Sequence, residues 1–280
     1  MLRLGFVGTG TLAQAVIGGL QETHGDRCTI LVSPRSEETS RALAARYPNV
    51  ERAASSAAVV EGSDIVFLGM RPQQLAEGIA ALPFRDGQVV VSFLAGVPLA
   101  LVREKVRPAA AVCRAIPLPG IRLRRGPVVL HPGHALVEDL FGGLGDLIVA
   151  DRESDLTAVS NASAMMSSHF AMQNRMVDWL SSRSVAPDVA TRYVRSMFAG
   201  LAAIGLDGLD RGEQLDPAHH ETKGGLNERV RSHLASAGWF DEVATALDIV
   251  EGHLSGEKAG LPRLGSDEHE MTGKEADART

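Results

Sequence analysis

The stretch GFVGTGTLAQAVIGGL, which begins at Gly5, sets two glycines and an alanine at the spacing Gly-x-Gly-x-x-Ala. The turn itself reads Gly8, Thr9, Gly10, Thr11, Leu12, Ala13. Gly8 permits a tight turn out of an apolar run, Gly10 lets an anion approach bare backbone, and the small Ala13 lets the next helix pack close to the strand. The unpaired N–H groups of that helix start would face the anion. A dinucleotide pyrophosphate is the group this spacing accommodates.

The end of the second apolar run selects between dinucleotides. NAD sites carry an Asp or Glu roughly 20 residues further on, where it accepts hydrogen bonds from the ribose. Here residues 29–32 are followed by Ser33, Pro34, Arg35 and Ser36, with no carboxylate before Glu37. Arg35 and the hydroxyls of Ser33 and Ser36 offer charge-assisted donors to a 2′-phosphate. NADP is therefore expected. On the plainer reading, Ser36 caps a helix at 37–46 and Arg35 is solvated.

Other reactive residue types lead less far. His131-x-x-His134 and His219-His220 with Glu221 each lack a third ligand at a usable spacing, so no metal site is expected. Two cysteines, Cys28 and Cys113, are too few for a disulfide framework or a four-thiolate zinc site. They read as small core residues in a reducing compartment. The formal net charge is −6, and basic stretches such as Arg122-Leu123-Arg124-Arg125 are local, which argues against nucleic-acid binding. No signal-peptide pattern precedes the first apolar run, and no run approaches the ~20 residues of a membrane span. A cytoplasmic protein that does not engage membranes is expected.

These residues need elements to hold them. With 45% apolar and 22% charged residues, the chain can bury a core, and its length suits about two domains. Short apolar runs at 2–7, 29–32, 65–68, 89–93, 112–116, 128–130 and 147–149 predict strands. Segments of helical period at 11–22, 37–46 and 73–82 lie between the first four. That alternation predicts an α/β fold: a Rossmann-type, doubly wound, mostly parallel sheet over residues 1–151. From there the pattern is helical throughout, with long helices predicted at 155–183, 187–204, 226–237 and 240–254, so 152–254 reads as an all-helical domain. Residues 255–280 are polar and read as a disordered tail.

The order of these segments resembles the pyrroline-5-carboxylate reductase family. The resemblance rests on the Gly-rich turn, then IVFLGMRPQQL at 65–75, VVVSFLAGVPLALV at 89–102, CRAIP at 113–117 and VEDLFGGLGDLIVADRESDLTAVS at 137–160. It implies reduction of a C=N bond in a small cyclic imino acid by NADPH, with pyrroline-5-carboxylate giving proline, and a homodimer or higher oligomer formed through the helical domain. It places Met70, Arg71 and Pro72, and also Ala95 and Gly96, beside the cofactor. The family's Ser-Gly-Ser-Gly-Pro-Ala-Tyr segment corresponds to Ser160 through Met166, where the glycines, proline and tyrosine are absent. Its Pro-Gly-Gly-Thr-Thr loop, which holds the substrate carboxylate, corresponds to Thr222-Lys223-Gly224-Gly225-Leu226-Asn227. The glycines remain and both threonines are replaced. Near the nicotinamide, Ile116-Pro117-Leu118-Pro119 lacks the family's asparagine.

On this pattern Lys223, Gly224 and Gly225 are the expected substrate-binding residues. Ser163 and Asn227 are the catalytic candidates by location, with His169 and Gln173 as further proton donors. Met165 and Met166 form either an adaptable wall or helix core. Three other readings stay open: reduction of a different imine or of a 2-oxo acid, hydroxyacid dehydrogenation, or a non-catalytic NADP-binding regulatory role. The hydroxyacid dehydrogenases use a lysine on the long helix, and residues 155–183 contain none.

Overall fold

The computed structural model describes residues 1–79 and 81–255. In chain order its strands are β1 (Leu2–Val7), β2 (Cys28–Val32), β3 (Val50–Arg52), β4 (Ile65–Leu68), β5 (Val89–Ser92), β6 (Ala111–Pro117), β7 (Pro127–His131) and β8 (Asp146–Val149). They form one sheet in the order 3-2-1-4-5-6-7-8. Strands β1 to β6 run parallel; β7 is antiparallel to β6, and β8 is parallel to β7. The mostly parallel, doubly wound sheet is thus as the alternation predicts.

Helices α1 (Thr11–His24), α2 (Glu37–Arg46), α3 (Ser56–Glu61), α4 (Leu75–Ile79), α5 (Leu99–Lys105) and α6 (Ala135–Gly142) connect the strands. Period-two alternation sends strand side chains to two cores. Leu4 and Phe6 of β1 and Ile65 and Phe67 of β4 join Ile17, Leu20 and Phe141 on one face. Val7, Val66 and Leu68 join Val59, Ile79 and Val102 on the other. Strands covered on both faces must be apolar throughout, and every residue of β4 and β5 is buried. Phe6 stacks on Phe67 with ring centroids 4.5 Å apart, so the few aromatics concentrate where β1 meets β4.

After β8 the described chain is helical: α7 (Glu153–Ala162), α8 (Met166–Ser181), α9 (Pro187–Asp210), α10 (Leu226–Ser236) and α11 (Trp239–Ser255). The change of character that the sequence places at Asp151 falls in the gap between β8 and α7. The chain divides into two compact units, one ending at Val230 and the other starting at Arg231. The first carries the sheet and α1 to α9. The second carries the greater part of α10 together with α11, in which Trp239 meets Phe240 edge-on at 5.1 Å. Among the described residues no helix is long and apolar enough to cross a membrane.

Several expectations need correction. The helix predicted at 155–183 is two helices, because Ser163–Met165 forms a 3-10 turn between α7 and α8. The helix predicted at 73–82 opens as a 3-10 turn at Pro72–Gln74, with Pro72 supplying no N–H, and continues only through α4. Strand β3 and helices α3, α5 and α6 were not among the predicted elements, and α9 runs on to Asp210 rather than stopping at 204. The segment read as a tail lies outside the described residues apart from Ser255. Both cysteines are free and buried in the core. Burial pushes the Cys113 thiol up to about 11, which leaves it unreactive.

Candidate cofactor and substrate site

Strand order reverses between β1 and β4, and the carboxyl ends of these strands open into a cleft of about 380 Å³. Parallel sheets bind ligands at such a switch point. Gly8 follows β1 with φ +102°, and a Cβ there would lie 2.7 Å from the backbone carbon of Gly69. The Gly8 N–H donates to Ser33 Oγ at 2.9 Å, which ties the turn to the end of β2. Gly10 is different: a Cβ there would meet nothing nearer than 3.8 Å, so its absence widens the cleft rather than relieving the fold.

The cleft's chemistry suits a phosphate-bearing group. Its lining holds Arg35, Arg71 and the hydroxyls of Ser33, Ser36 and Ser56, and no carboxylate. Thr9 is 2% exposed, and its hydroxyl has no partner within the protein. A buried hydroxyl without a partner is costly, which points to a ligand that completes it. Helix α1 begins at Gly10 without a side-chain cap and without an acidic residue in its first turn, so its amides stay available to an anion. Ser36 sits at the N-cap of α2 but makes no capping bond. Ser36 is among the residues that line the cleft.

Of the expected cofactor residues, Gly8, Thr9, Gly10, Ser33, Arg35, Ser36, Met70 and Arg71 line this one cleft. Thr11, Leu12, Pro72, Ala95 and Gly96 fall outside its lining. Thr11 and Leu12 open α1, Pro72 opens the 3-10 turn, and Ala95 and Gly96 turn the chain out of β5. Sequence reasoning missed Gly69, Gln74, Gly78 and Ser56, which also line it. It also missed Arg52, whose guanidinium donates to Ser40 Oγ at 3.0 Å and to the Pro34 carbonyl at 3.4 Å, bracing the loop that carries Arg35.

The expected substrate residues lie elsewhere in the first compact unit. Ser163 Oγ donates to the Ser160 carbonyl at 2.6 Å, within its own turn. Asn227 Nδ2 donates to the His220 carbonyl at 2.9 Å. Gly224 adopts φ +73°, its N–H donates to the Glu228 carboxylate, and the Gly225 N–H donates to the Thr222 carbonyl at 2.6 Å. Lys223 is exposed and unpaired among the described residues. Gln173, 2% exposed, bonds His169 at 2.5 Å and accepts from Arg195, which also donates to Asn174 at 2.6 Å. Met166 is 41% exposed and Met165 half-buried, so neither is core. Among the described residues, no three His, Cys, Asp or Glu side chains gather closely enough to hold a metal ion.

Comparison with known proteins adds to this geometry. Residues 3–96 match the family model described as "NADP oxidoreductase coenzyme F420-dependent". The pyrroline-5-carboxylate reductase of Pseudomonas aeruginosa is 24% identical over 240 residues, covering 82% of this chain and 84% of that protein. In sequence, the chain is similar to pyrroline-5-carboxylate reductases, the Pasteurella multocida protein being 24% identical over 218 residues, with 73% of this chain and 79% of that protein covered. Solved reductases share its fold. The Streptococcus pyogenes enzyme superposes with a TM-score of 0.77 at 19% identity, covering 91% of this chain and 98% of that one. The Plasmodium falciparum pyrroline carboxylate reductase with NADP bound gives 0.76 at 13% identity, with coverage of 91% and 98%.

In the segments 160–166 and 222–227 local hydrogen bonds close on themselves, through Ser163 to Ser160 and through Gly224 to Glu228.

Proposed function

We propose that the chain uses NADPH to reduce the C=N bond of a small cyclic imino acid, with pyrroline-5-carboxylate to proline as the first reaction to test. The observation that carries this reading is the switch-point cleft, with two arginines, three serine hydroxyls, an orphaned Thr9 hydroxyl and no carboxylate. When bound, NADPH supplies the hydride. The chain's part is to hold and orient. Gly10 and the first turn of α1 receive the pyrophosphate, and Arg35 with Ser33 and Ser36 receives the 2′-phosphate. Lys223 and the Gly224–Gly225 turn hold the substrate carboxylate, and Ser163 and Asn227 face the imine nitrogen.

In this reading, residues 152–254 carry the substrate and form a homodimer. Support comes from α9, which leaves Val189, Tyr193, Leu201 and Ile204 about half exposed or more, at 55%, 62%, 52% and 49%. A stripe of that kind on one helix favours a second copy of the chain as its cover. The protein works in the cytoplasm, in proline formation.

One observation favours a second reading, reduction of an imine without a carboxylate. Both glycine amides of the 222–227 loop are already bonded within the chain, to Glu228 and to Thr222. NADPH oxidation measured with pyrroline-5-carboxylate, pyrroline-2-carboxylate, 1-pyrroline and a set of 2-oxo acids separates these readings. NADPH binding with no oxidation by any of them would indicate a regulatory protein instead.

A further inference from the structure

Glu153, the first residue of α7, joins three elements through one atom. Its Oε1 accepts the Leu99 N–H at 2.6 Å and Arg114 Nη1 at 2.6 Å. Leu99 opens α5, so the contact grips the far end of the 93–98 turn that leaves β5. Arg114 lies on β6 directly opposite Ser92, the last residue of β5, and its side chain is only 4% exposed. The near end of the turn is held by the Leu94 N–H, which donates to Ser92 Oγ at 3.3 Å. Glu153 is thus the clasp between this turn, the inner strand β6 and the helix that leads into residues 160–165.

The clasp is strong for its position. A buried guanidinium needs a partner, and Arg114 Nε has none, so Glu153 is the carboxylate that compensates this cation. Burial pushes the Glu153 carboxyl up, but the Leu99 amide, the Arg114 hydrogen bond and the neighbouring positive charges outweigh it and hold it below the usual carboxylate range. It stays ionised at neutral pH.

Its place on the sheet gives it a role. A dinucleotide lies across the switch point with one half on each side. The β2 end, with Ser33, Arg35 and Ser36, takes the adenosine half, which leaves the ends of β4, β5 and β6 to the nicotinamide half. Resting on the reading above, we propose that Glu153 is a positioning residue that fixes the 93–98 turn under the nicotinamide relative to the substrate-bearing helix. It touches neither reactant. It acts through Leu99 and Arg114.

The test compares Glu153→Gln, which keeps an acceptor for Leu99 but removes the charge, with Glu153→Ala and with Arg114→Lys. NADPH affinity, fluorescence of the bound nicotinamide, imine turnover and thermal unfolding are measured on the full chain. The expected result is an NADPH Kd within twofold of wild type, a changed nicotinamide emission, and kcat at least tenfold lower in Glu153→Ala, with Glu153→Gln between. Unchanged emission and kcat accompanied only by a lower Tm would overturn the proposal, as would a tenfold loss of NADPH affinity in Glu153→Gln. If the wild type reduces no imine, the functional reading fails. The emission and affinity still decide the role of Glu153, and Glu153→Gln keeps the test alive should Glu153→Ala not fold.

Discussion

The main chains of Gly8 and Gly69 touch. A Cβ on Gly8 would stand 2.7 Å from the Gly69 carbonyl carbon, and one on Gly69 would stand 3.1 Å from the Gly8 carbonyl oxygen. Two strand ends therefore close on each other at the base of the cleft, and this contact separates two glycines that look alike in sequence.

Gly8→Ala combines a positive φ with a backbone collision, and should cost about 1–3 kcal/mol of stability, along with NADPH binding. Gly10 has φ −66°, which any residue adopts, and open space beyond its Cα. Gly10→Val should therefore unfold near the wild-type urea midpoint yet bind NADPH at least tenfold more weakly. Urea titration and fluorescence titration of the two variants check this, and equal loss of stability in both would contradict it.

Arg35→Asp should weaken NADPH binding far more than NADH binding. A hydrogen bond to a charged group contributes about 1.5–3 kcal/mol, or roughly 10- to 150-fold in affinity. Reversal of the charge takes the effect to the upper end. Comparable losses for the two cofactors would remove the 2′-phosphate assignment.

Gly224→Val places a β-branched residue at φ +73° in open space, so the strain stays local to the 222–227 loop. The expected outcome is a substrate KM raised on the order of tenfold with NADPH affinity intact. A fall in cofactor affinity would place the loop at the wrong site.

The exposed stripe of α9 predicts association. Leu201→Glu alters a residue already 52% exposed, so folding should survive, while the oligomer should dissociate in sedimentation velocity. A wild-type protein that sediments as a monomer at micromolar concentration would refute the dimer.

At the amino ends of the same two strands, Arg3 and Asp64 staple the start of β1 to the residue before β4, with Nη2 to Oδ1 at 2.8 Å and the Arg3 N–H to Oδ2 at 3.0 Å. Hydrogen bonding from the Arg3 side chain holds the Asp64 carboxyl below its usual 3.8. A lowered folded-state pKa contributes stability that is present above about 4 and lost as the pH falls through the folded value. The pair is solvent-exposed, so Asp64→Asn should cost under about 1 kcal/mol at pH 7. The difference should shrink progressively in urea titrations as the pH is taken below about 4.

Much of the sheet was legible because its central strands are short, largely apolar runs and the glycine turn after β1 is distinctive. Strand β3 was not legible: Val50-Glu51-Arg52 is one alternation long, and only pairing with β2 makes it a strand. Helix α3 carried a readable signal in Ser55, whose hydroxyl accepts the Ala58 N–H at 3.1 Å. Gly69 follows a strand like any punctuation, and nothing local reveals that Gly8 lies against it. Glu153 and Arg114 are separated by 39 positions, so their pairing exists only through the register of β5, β6 and β7. Glu228 carries no sequence signal of its contact with Gly224, which arises from the turn of the backbone at 222–227.

The 3-10 turn at Ser163–Met165 changes how faces are counted beyond it. Each of its three residues advances the chain by about 120° rather than 100°, so side chains after the turn are out of phase by about 60° with a continuous helix. The stripe that α8 shows to α9 is therefore not the continuation of the stripe that α7 shows to β7. A residue transferred onto α8 by counting from α7 lands about 60° away from its true face, and Gln173, buried against Arg195, is where that phase error would be felt first.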